Sequence, residues 1–144
     1  MKYFQFWQRW LFIFSLLFTI FGLSLALFNQ TVYFDFLFNS RINPLFWDTA
    51  KLSGQTAIFQ QWIYGVLGAT CAGWGIFLAF IINSPFKRRE LWAWNCIAAG
   101  LTLWFVVDSS ISFYFNVFYN VLVNLLLYSL VIIPLLLVRK FFIR

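Results

Sequence analysis

Histidine is absent from the 144 residues, and only four side chains are acidic. Without an imidazole, the chain cannot ligate haem or a metal through histidine, and it lacks the usual general base of neutral-pH catalysis. The acidic residues Asp35, Asp48, Glu90 and Asp108 are too scattered to pair on one helix face for acid–base chemistry or hard-metal binding. Two cysteines without a Cys-x-x-Cys spacing are too few for a disulfide framework. The sequence therefore predicts a protein that is not an enzyme and that holds no metal and no cofactor.

Charged residues are scarce as well, at 10% of the chain, and 63% of the residues are apolar. The apolar residues concentrate in four stretches, each long enough to cross ~30 Å of hydrocarbon as a helix that rises ~1.5 Å per residue. The stretches cover residues 10–28, 57–82, 91–107 and 113–138. We therefore expect an all-α integral membrane protein, in which residues 1–144 form one domain of four transmembrane helices in one bundle. Its connections are an outer loop at 29–56 and a cytoplasmic loop at 83–90.

The basic residues are distributed unevenly between the two sides of this predicted domain. Only Arg41 and Lys51 lie on the side of the outer loop. Eight of the ten lie on the side of the termini: Lys2, Arg9, Lys87, Arg88, Arg89, Arg139, Lys140 and Arg144. By the positive-inside rule, both termini are cytoplasmic and the protein lies in the cell membrane, which is the inner membrane in a bacterium. The net charge of +6 then meets anionic lipid rather than nucleic acid.

Two features of these charged and terminal segments have a second interpretation. Lys87, Arg88 and Arg89 set the orientation and contact anionic lipid, or alternatively form a docking site for a cytoplasmic partner. The first apolar stretch could be a cleaved secretory signal, because Ser24-Leu25-Ala26 resembles a small-x-small cleavage site. Its length and its many bulky aromatic residues favour a retained transmembrane helix.

The second apolar stretch is rich in small residues four apart. The residues that we expect to pack against a neighbouring helix are Gly65, Gly68, Ala69, Ala72 and Gly73. In lipid, such residues let helix backbones approach closely enough for van der Waals contact. The second helix is therefore predicted to be central and the third to be its close neighbour. The first, which is rich in Phe and Leu and has Gly22 as its only glycine, is predicted to lie outside, against lipid.

The outer loop is too apolar for a solvated linker. Its aromatic and aliphatic residues favour the headgroup boundary. Asn43 as N-cap, Pro44 at the first helical position and Gly54 just past the end predict a short helix. This helix either lies over the mouth of the bundle or is only a hydrophobic connector.

The fourth stretch has one polar face, formed by Asn116, Asn120, Asn124 and Tyr128 at intervals of four residues. Together with Asp108, at the outer end of the third stretch, these residues are predicted to line an outward-facing cavity for a lipid-like or small polar ligand. The alternatives are that the asparagines hydrogen-bond to other helices, for example to Asn95 and Thr102, and that Asp108 only caps the turn formed by Ser109 to Ser112.

Pro134 interrupts the same stretch near its inner end. Proline has no amide hydrogen, so Pro134 leaves the carbonyl of Leu130 without its helical partner and is expected to bend the helix.

The leading functional interpretation is a small non-enzymatic multi-pass membrane protein that binds or moves such a ligand. A second interpretation is an accessory or structural subunit of a larger membrane complex or a homo-oligomer. An intramembrane enzyme is a third, which the sequence disfavours because no nucleophile is paired with a base.

Overall fold

The computed structural model describes residues 2–142. Its secondary structure is all-helical, with 87% of the residues in helices and no strand among those described. We number the four long helices α1 (Lys2–Phe28), α2 (Gly54–Ile81), α3 (Leu91–Tyr114) and α4 (Phe118–Val138). A π-helical turn, Ile82–Phe86, continues α2, and a 3-10 turn, Arg139–Phe141, follows α4. The four long helices are each long and apolar enough to cross a membrane. The predicted helical class and the four apolar helices are thereby confirmed.

The connection between α3 and α4 differs from the prediction. The third stretch was expected to end at residue 107, and Ser109 to Ser112 were expected to form the turn. Instead α3 continues to Tyr114, and the turn is residues 115–117, where Asn116 has a left-handed φ of 60°. The hydroxyl of Ser112 donates to the Asp108 carboxylate one helical turn earlier, at 3.2 Å, so these polar residues are compatible with a continuous helix. The fourth helix accordingly begins at residue 118 and not at 113.

Two compact units can be distinguished within the chain: a small unit of residues 18–75, and a large unit of residues 2–17 and 76–142 among those described. α1 and α2 each contribute a segment to both units. The expectation of one domain over 1–144 stays a prediction.

The buried core of the large unit contains residues from α1, α3 and α4 and from the π-helical turn that continues α2. Leu11 of α1 and Leu135 and Val138 of α4 are almost completely buried, and so is Phe86 in the turn after α2. Burying these side chains gives the close van der Waals contact that associates helices in lipid. The full core cluster comprises Phe4, Leu11, Ile82, Phe86, Ala93, Ile97, Val131, Leu135, Val138 and Phe142.

The carbonyl that Pro134 leaves free has a partner in the structure. The indole nitrogen Nε1 of Trp10, on α1, donates a hydrogen bond to the Leu130 oxygen at 3.0 Å. An unpaired carbonyl in hydrocarbon costs several kcal/mol, because no water is there to solvate it. A second indole, that of Trp94, donates to the Leu135 oxygen at 2.8 Å. Tryptophan side chains of α1 and α3 therefore satisfy the backbone of α4 around its proline.

In the small unit, the backbones of α1 and α2 touch at a pair of glycines. A Cβ built on Gly22 would lie 2.7 Å from the carbonyl oxygen of Gly68, and one built on Gly68 would lie 2.5 Å from that of Gly22. This contact is with α1, not with α3 as predicted, and α1 is not merely a lipid-facing helix. A single glycine in α1 is enough because it meets a glycine of α2 directly. By contrast, a Cβ on Gly73 would have no atom of residues 2–142 within 4 Å outside its own stretch of helix.

We expect Gly68→Leu to lower the free energy of unfolding by at least ~2 kcal/mol, because the new side chain would collide with the backbone of α1. Gly73→Leu is the matched control. It introduces the same side chain five residues later on α2, into open space, and should leave stability nearly unchanged. Unfolding by denaturing detergent, followed by circular dichroism, measures both. Equal effects of the two substitutions would contradict the glycine contact.

Candidate functional site

The segment between α1 and α2 forms a series of short helical turns. They are Val32–Phe34, the π turn Asp35–Asn39, Ser40–Ile42 and Pro44–Trp47. The predicted helix does start with Pro44 at its first position, but it ends at Trp47, where Asp48 adopts a left-handed φ of 53°. Gly54, predicted to follow that helix, instead begins α2. Residues 48–53 are consequently an irregular connection without helical hydrogen bonds of its own.

Asn43 fixes this connection to α2. It was predicted to be an N-cap, but its backbone is helical and its side chain makes no cap hydrogen bond. Its side-chain oxygen Oδ1 accepts a hydrogen bond from Gln60 Nε2 of α2 at 2.7 Å, and its Nδ2 donates to the Ala50 carbonyl at 2.9 Å. The residue is only 1% exposed. Asn43 therefore holds the connection around Ala50 against α2, with both ends of its amide group in use.

Beside Asn43, residues of the small unit line a half-open polar cavity of about 300 Å³. Its charged side chains are Asp35 and Lys51, and its buried polar side chains include Asn29 and Asn39. The complete lining is Asn29, Gln30, Asp35, Asn39, Asn43, Ala50, Lys51, Leu52, Ala57, Gln60, Gln61 and Tyr64. A polar, partly buried space of this size can hold a small ligand or a lipid headgroup.

One buried atom of this lining has no hydrogen-bond partner. Asn39 Nδ2 donates to Asp35 Oδ1 at 2.7 Å, which fixes the orientation of the Asn39 amide. Its Oδ1 is then left buried without a hydrogen bond within residues 2–142, on a residue that is only 6% exposed. Leaving such an acceptor unpaired costs ~1–3 kcal/mol, so a bound hydrogen-bond donor would remove this cost.

The predicted polar face of α4 is a hydrogen-bonded cluster with Asp108 at its centre. Asn120 Nδ2 and Asn124 Nδ2 each donate to Asp108 Oδ1 at 2.7 Å, and Ser112 donates to the same oxygen at 3.2 Å. Asn120 also donates to Ser112 Oγ at 2.8 Å, and Asn124 to Ser109 Oγ at 3.3 Å. Asn124 is 3% exposed. The cluster links α3 to α4 through groups that bind each other.

The remaining members of the predicted ligand site lie elsewhere. Asn116 is exposed in the turn between α3 and α4 rather than on the helix face. Tyr128 shares a hydrogen bond of 3.2 Å with Thr102, and its ring stacks on Phe105 with the centroids 4.4 Å apart. Thr102 is thus a partner of the polar face, as one alternative proposed. The main partner of the polar face, however, is Asp108.

The predicted packing residues of α2 also separate into two groups. Gly68 and Ala72 meet Gly22 of α1, and a Cβ on Gly65 would lie 3.9 Å from the Ala26 carbonyl, an ordinary contact. Ala69 is exposed, and Gly73 faces open space.

The basic segment before α3 is partly tied to its own neighbours. Arg88 Nε lies 2.6 Å from Glu90 Oε1, and Arg88 Nη1 donates to Ser84 Oγ at 2.8 Å. Hydrogen bonds from Arg88 and then Trp92 hold the pKa of Glu90 below its usual value. The Arg89 guanidinium lies 5.0 Å from the centre of the Phe4 ring, whereas Lys87 is exposed. Lys87 and the exposed part of Arg88 remain available to a headgroup.

Comparison with known protein families, with curated proteins and with solved structures finds no match for this chain. Within residues 2–142, no three histidine, cysteine or acidic side chains are grouped as a metal site would require. The functional assignment therefore rests on the cavity and on the Asp108 cluster.

We expect Asn124→Leu to destabilise the protein by ~1–2 kcal/mol, because it removes a donor from a carboxylate that packs between two helices. Asn95→Leu makes the same change at an exposed position of α3, where the amide has no hydrogen-bond partner among residues 2–142, and should stay within ~0.5 kcal/mol. Adding Asp108→Leu to Asn124→Leu should cost less stability than Asp108→Leu costs alone, because the bond between the two residues is already lost. Unfolding in mixed micelles measures the cycle, and additive effects would show that the two residues are not coupled.

Proposed function

We propose that this chain is a small, non-enzymatic, multi-pass membrane protein that binds a small polar or lipid-like ligand in the cavity of its small unit. The observation that carries the proposal is a polar cavity that brings a carboxylate and an ammonium group together beside Asn39, whose buried Oδ1 has no hydrogen-bond partner within residues 2–142. Asp35 and Lys51 form no ion pair with each other within residues 2–142, so neither charge is neutralised by the other. A buried acceptor without a donor, next to unpaired charges of both signs, is more typical of a binding site than of a packed core.

The proposal moves the ligand site from the predicted face of α4 to the segment between α1 and α2. Around Asp108, the amide donors of Asn120 and Asn124 are already used by the carboxylate. That cluster supports a structural role in holding α3 to α4. In the small unit, by contrast, the hydrogen bonds stop short of completing the site, because Asn39 Oδ1 is left over.

The proposed arrangement in the membrane is a four-helix bundle with both termini in the cytoplasm and the cavity on the outer side. The support is the excess of lysine and arginine in the terminal segments and in the connection between α2 and α3. Further support comes from the turns beside the cavity, where Val32 is 81% exposed and Tyr33 is 80% exposed. Apolar and aromatic side chains of this kind are suited to the headgroup boundary.

The orientation is tested with single cysteines at position 41 or position 88, in a chain whose own Cys71 and Cys96 are replaced by serine. A membrane-impermeant maleimide applied to intact cells should label position 41 and not position 88, and both should react after the membrane is permeabilised. Labelling of position 88 alone in intact cells would reverse the proposed orientation.

Ligand binding is tested by native mass spectrometry of the full chain released from mild detergent. We expect an added mass on the protein, and we expect Asn39→Leu to reduce its occupancy by about tenfold, as for a lost charge-assisted or buried hydrogen bond. Asn95→Leu, outside the cavity, is the control and should retain the added mass. A native protein without any added mass, or an Asn39→Leu protein that keeps it, would overturn the proposed site.

The same spectra bear on a second function, that of an accessory subunit or homo-oligomer. Ala69 is exposed on α2, and a Cβ on Gly73 would meet no described residue within 4 Å outside its own stretch of helix. Small residues left uncovered in this way allow a further helix to approach closely. A mass of two or more chains that Gly73→Leu reduces to one would support this function.

A further inference from the structure

We propose that the cavity of the small unit recognises a zwitterion in which a primary ammonium is joined to a phosphate, as in the phosphoethanolamine headgroup. Asp35 and Asn39 would bind the ammonium, and Lys51 would bind the phosphate. The inference rests on the proposed ligand-binding function and specifies the chemistry of that site.

The ammonium end follows from the acceptors that the cavity offers. Asn39 Oδ1 is buried and unpaired, and Asp35 uses only Oδ1, to accept from Asn39, among the hydrogen bonds of residues 2–142. Two adjacent acceptors, one of them a carboxylate, match a primary ammonium because it has three donors, a positive charge and no acceptor. A hydroxyl group offers a single donor and leaves the Asp35 charge uncompensated.

The phosphate end follows from the way in which Lys51 is held. The Thr49 hydroxyl donates to the Lys51 carbonyl at 3.1 Å, and the Lys51 amide donates back to that hydroxyl at 3.3 Å. The preceding carbonyl, that of Ala50, is fixed by Asn43. The backbone beneath Lys51 is therefore positioned, while its side chain is exposed and without an ion pair within residues 2–142. A lysine in this situation is suited to bind a phosphate as a point charge.

The balance of charges narrows the ligand further. Asp35 and Lys51 are the charged residues of the lining, one of each sign. A purely anionic ligand would leave Asp35 unpaired, and a simple amine would leave Lys51 unpaired, whereas a zwitterion matches both. A quaternary ammonium, as in choline, has no hydrogen to donate and is usually bound by an aromatic cage. Tyr64 is the single aromatic residue of the lining, so the cavity favours the primary amine.

The surroundings of the cavity suggest that the zwitterion is part of a membrane lipid. Val32, Tyr33 and Phe36 flank Asp35 in the sequence and are all strongly exposed. Side chains of this type partition to the boundary between headgroups and hydrocarbon. The cavity, which Asp35 lines, would then open at the depth where lipid headgroups lie. A soluble phosphoethanolamine compound has the same recognised chemistry, so the experiment must separate these two sources.

The test uses the full chain in nanodiscs with equal amounts of phosphatidylethanolamine, phosphatidylcholine and phosphatidylglycerol, and native mass spectrometry to identify the retained lipid. We expect the ethanolamine lipid to be retained about tenfold over each of the others. Mono- and dimethylated headgroups should show a stepwise loss, a comparison that requires no substitution in the protein. Equal retention of the three lipids, or a preference for the anionic one, would overturn the proposal.

Substitutions then locate the recognition. Asp35→Asn keeps an oxygen that can accept from Asn39 but removes the charge, and it should abolish the preference for ethanolamine over choline. Lys51→Gln should lower the retention of both lipids, because both carry the phosphate. Asp48→Asn is the matched control: Asp48 is an exposed acid of the same connection, is outside the cavity lining, and should leave the preference unchanged. Circular dichroism should show that all three variants remain helical.

Competition with soluble glycerophosphoethanolamine distinguishes a membrane lipid from a soluble compound as the source of the bound group. Displacement of the lipid at millimolar concentration would indicate that the site takes the free group, and failure to displace it would indicate that the acyl chains contribute; both agree with the proposed chemistry. An added mass of another kind that depends on Asn39 would overturn the phosphoethanolamine assignment and leave the binding function standing. An absence of any added mass would overturn both.

Discussion

The interior of a membrane offers no water to a polar group, and the polar contacts of this structure follow from that constraint. A carbonyl released by Pro134 is bonded by the indole of Trp10. One carboxylate oxygen of Asp108, Oδ1, accepts from amide and hydroxyl donors of α3 and α4. Polar residues in such helices are therefore best understood in sets, since each one imposes a requirement on its neighbours.

The two asparagine sites differ in whether that requirement is met inside the chain. Asn124 finds its acceptors on α3, and the result is a closed arrangement that stabilises a helix pair. Asn39 finds an acceptor for its amide nitrogen but no donor for its oxygen within the described residues. The second site thus leaves one buried acceptor without a donor, and the proposed binding site depends on this difference from the Asp108 cluster.

The sequence was sufficient for the four apolar helices because length and composition alone determine whether a segment can cross hydrocarbon. It was less informative where partners decide the outcome. Ser109 to Ser112 were predicted to form a turn, since serine and aspartate favour turns, but Ser112 and the asparagines of α4 satisfy Asp108 and allow the helix to continue. Gly22 looked unimportant as a lone glycine, and its role depends on which residue of α2 lies opposite it. The spacing of Asp35, Asn39 and Asn43 at four-residue intervals was a usable signal for the cavity, which the apolar residues around it obscured.

The pair of hydrogen bonds made by Asn43 has a mechanical consequence. One bond reaches Gln60 on α2 and the other reaches Ala50, next to Lys51. A thicker or thinner bilayer changes the tilt of a transmembrane helix at a cost of fractions of a kcal/mol per Å, which is small beside the bonds themselves. Tilting of α2 would therefore move Gln60 and carry Asn43 and Ala50 with it before the bonds broke. Lys51, next to Ala50, would then shift together with the first turns of α2.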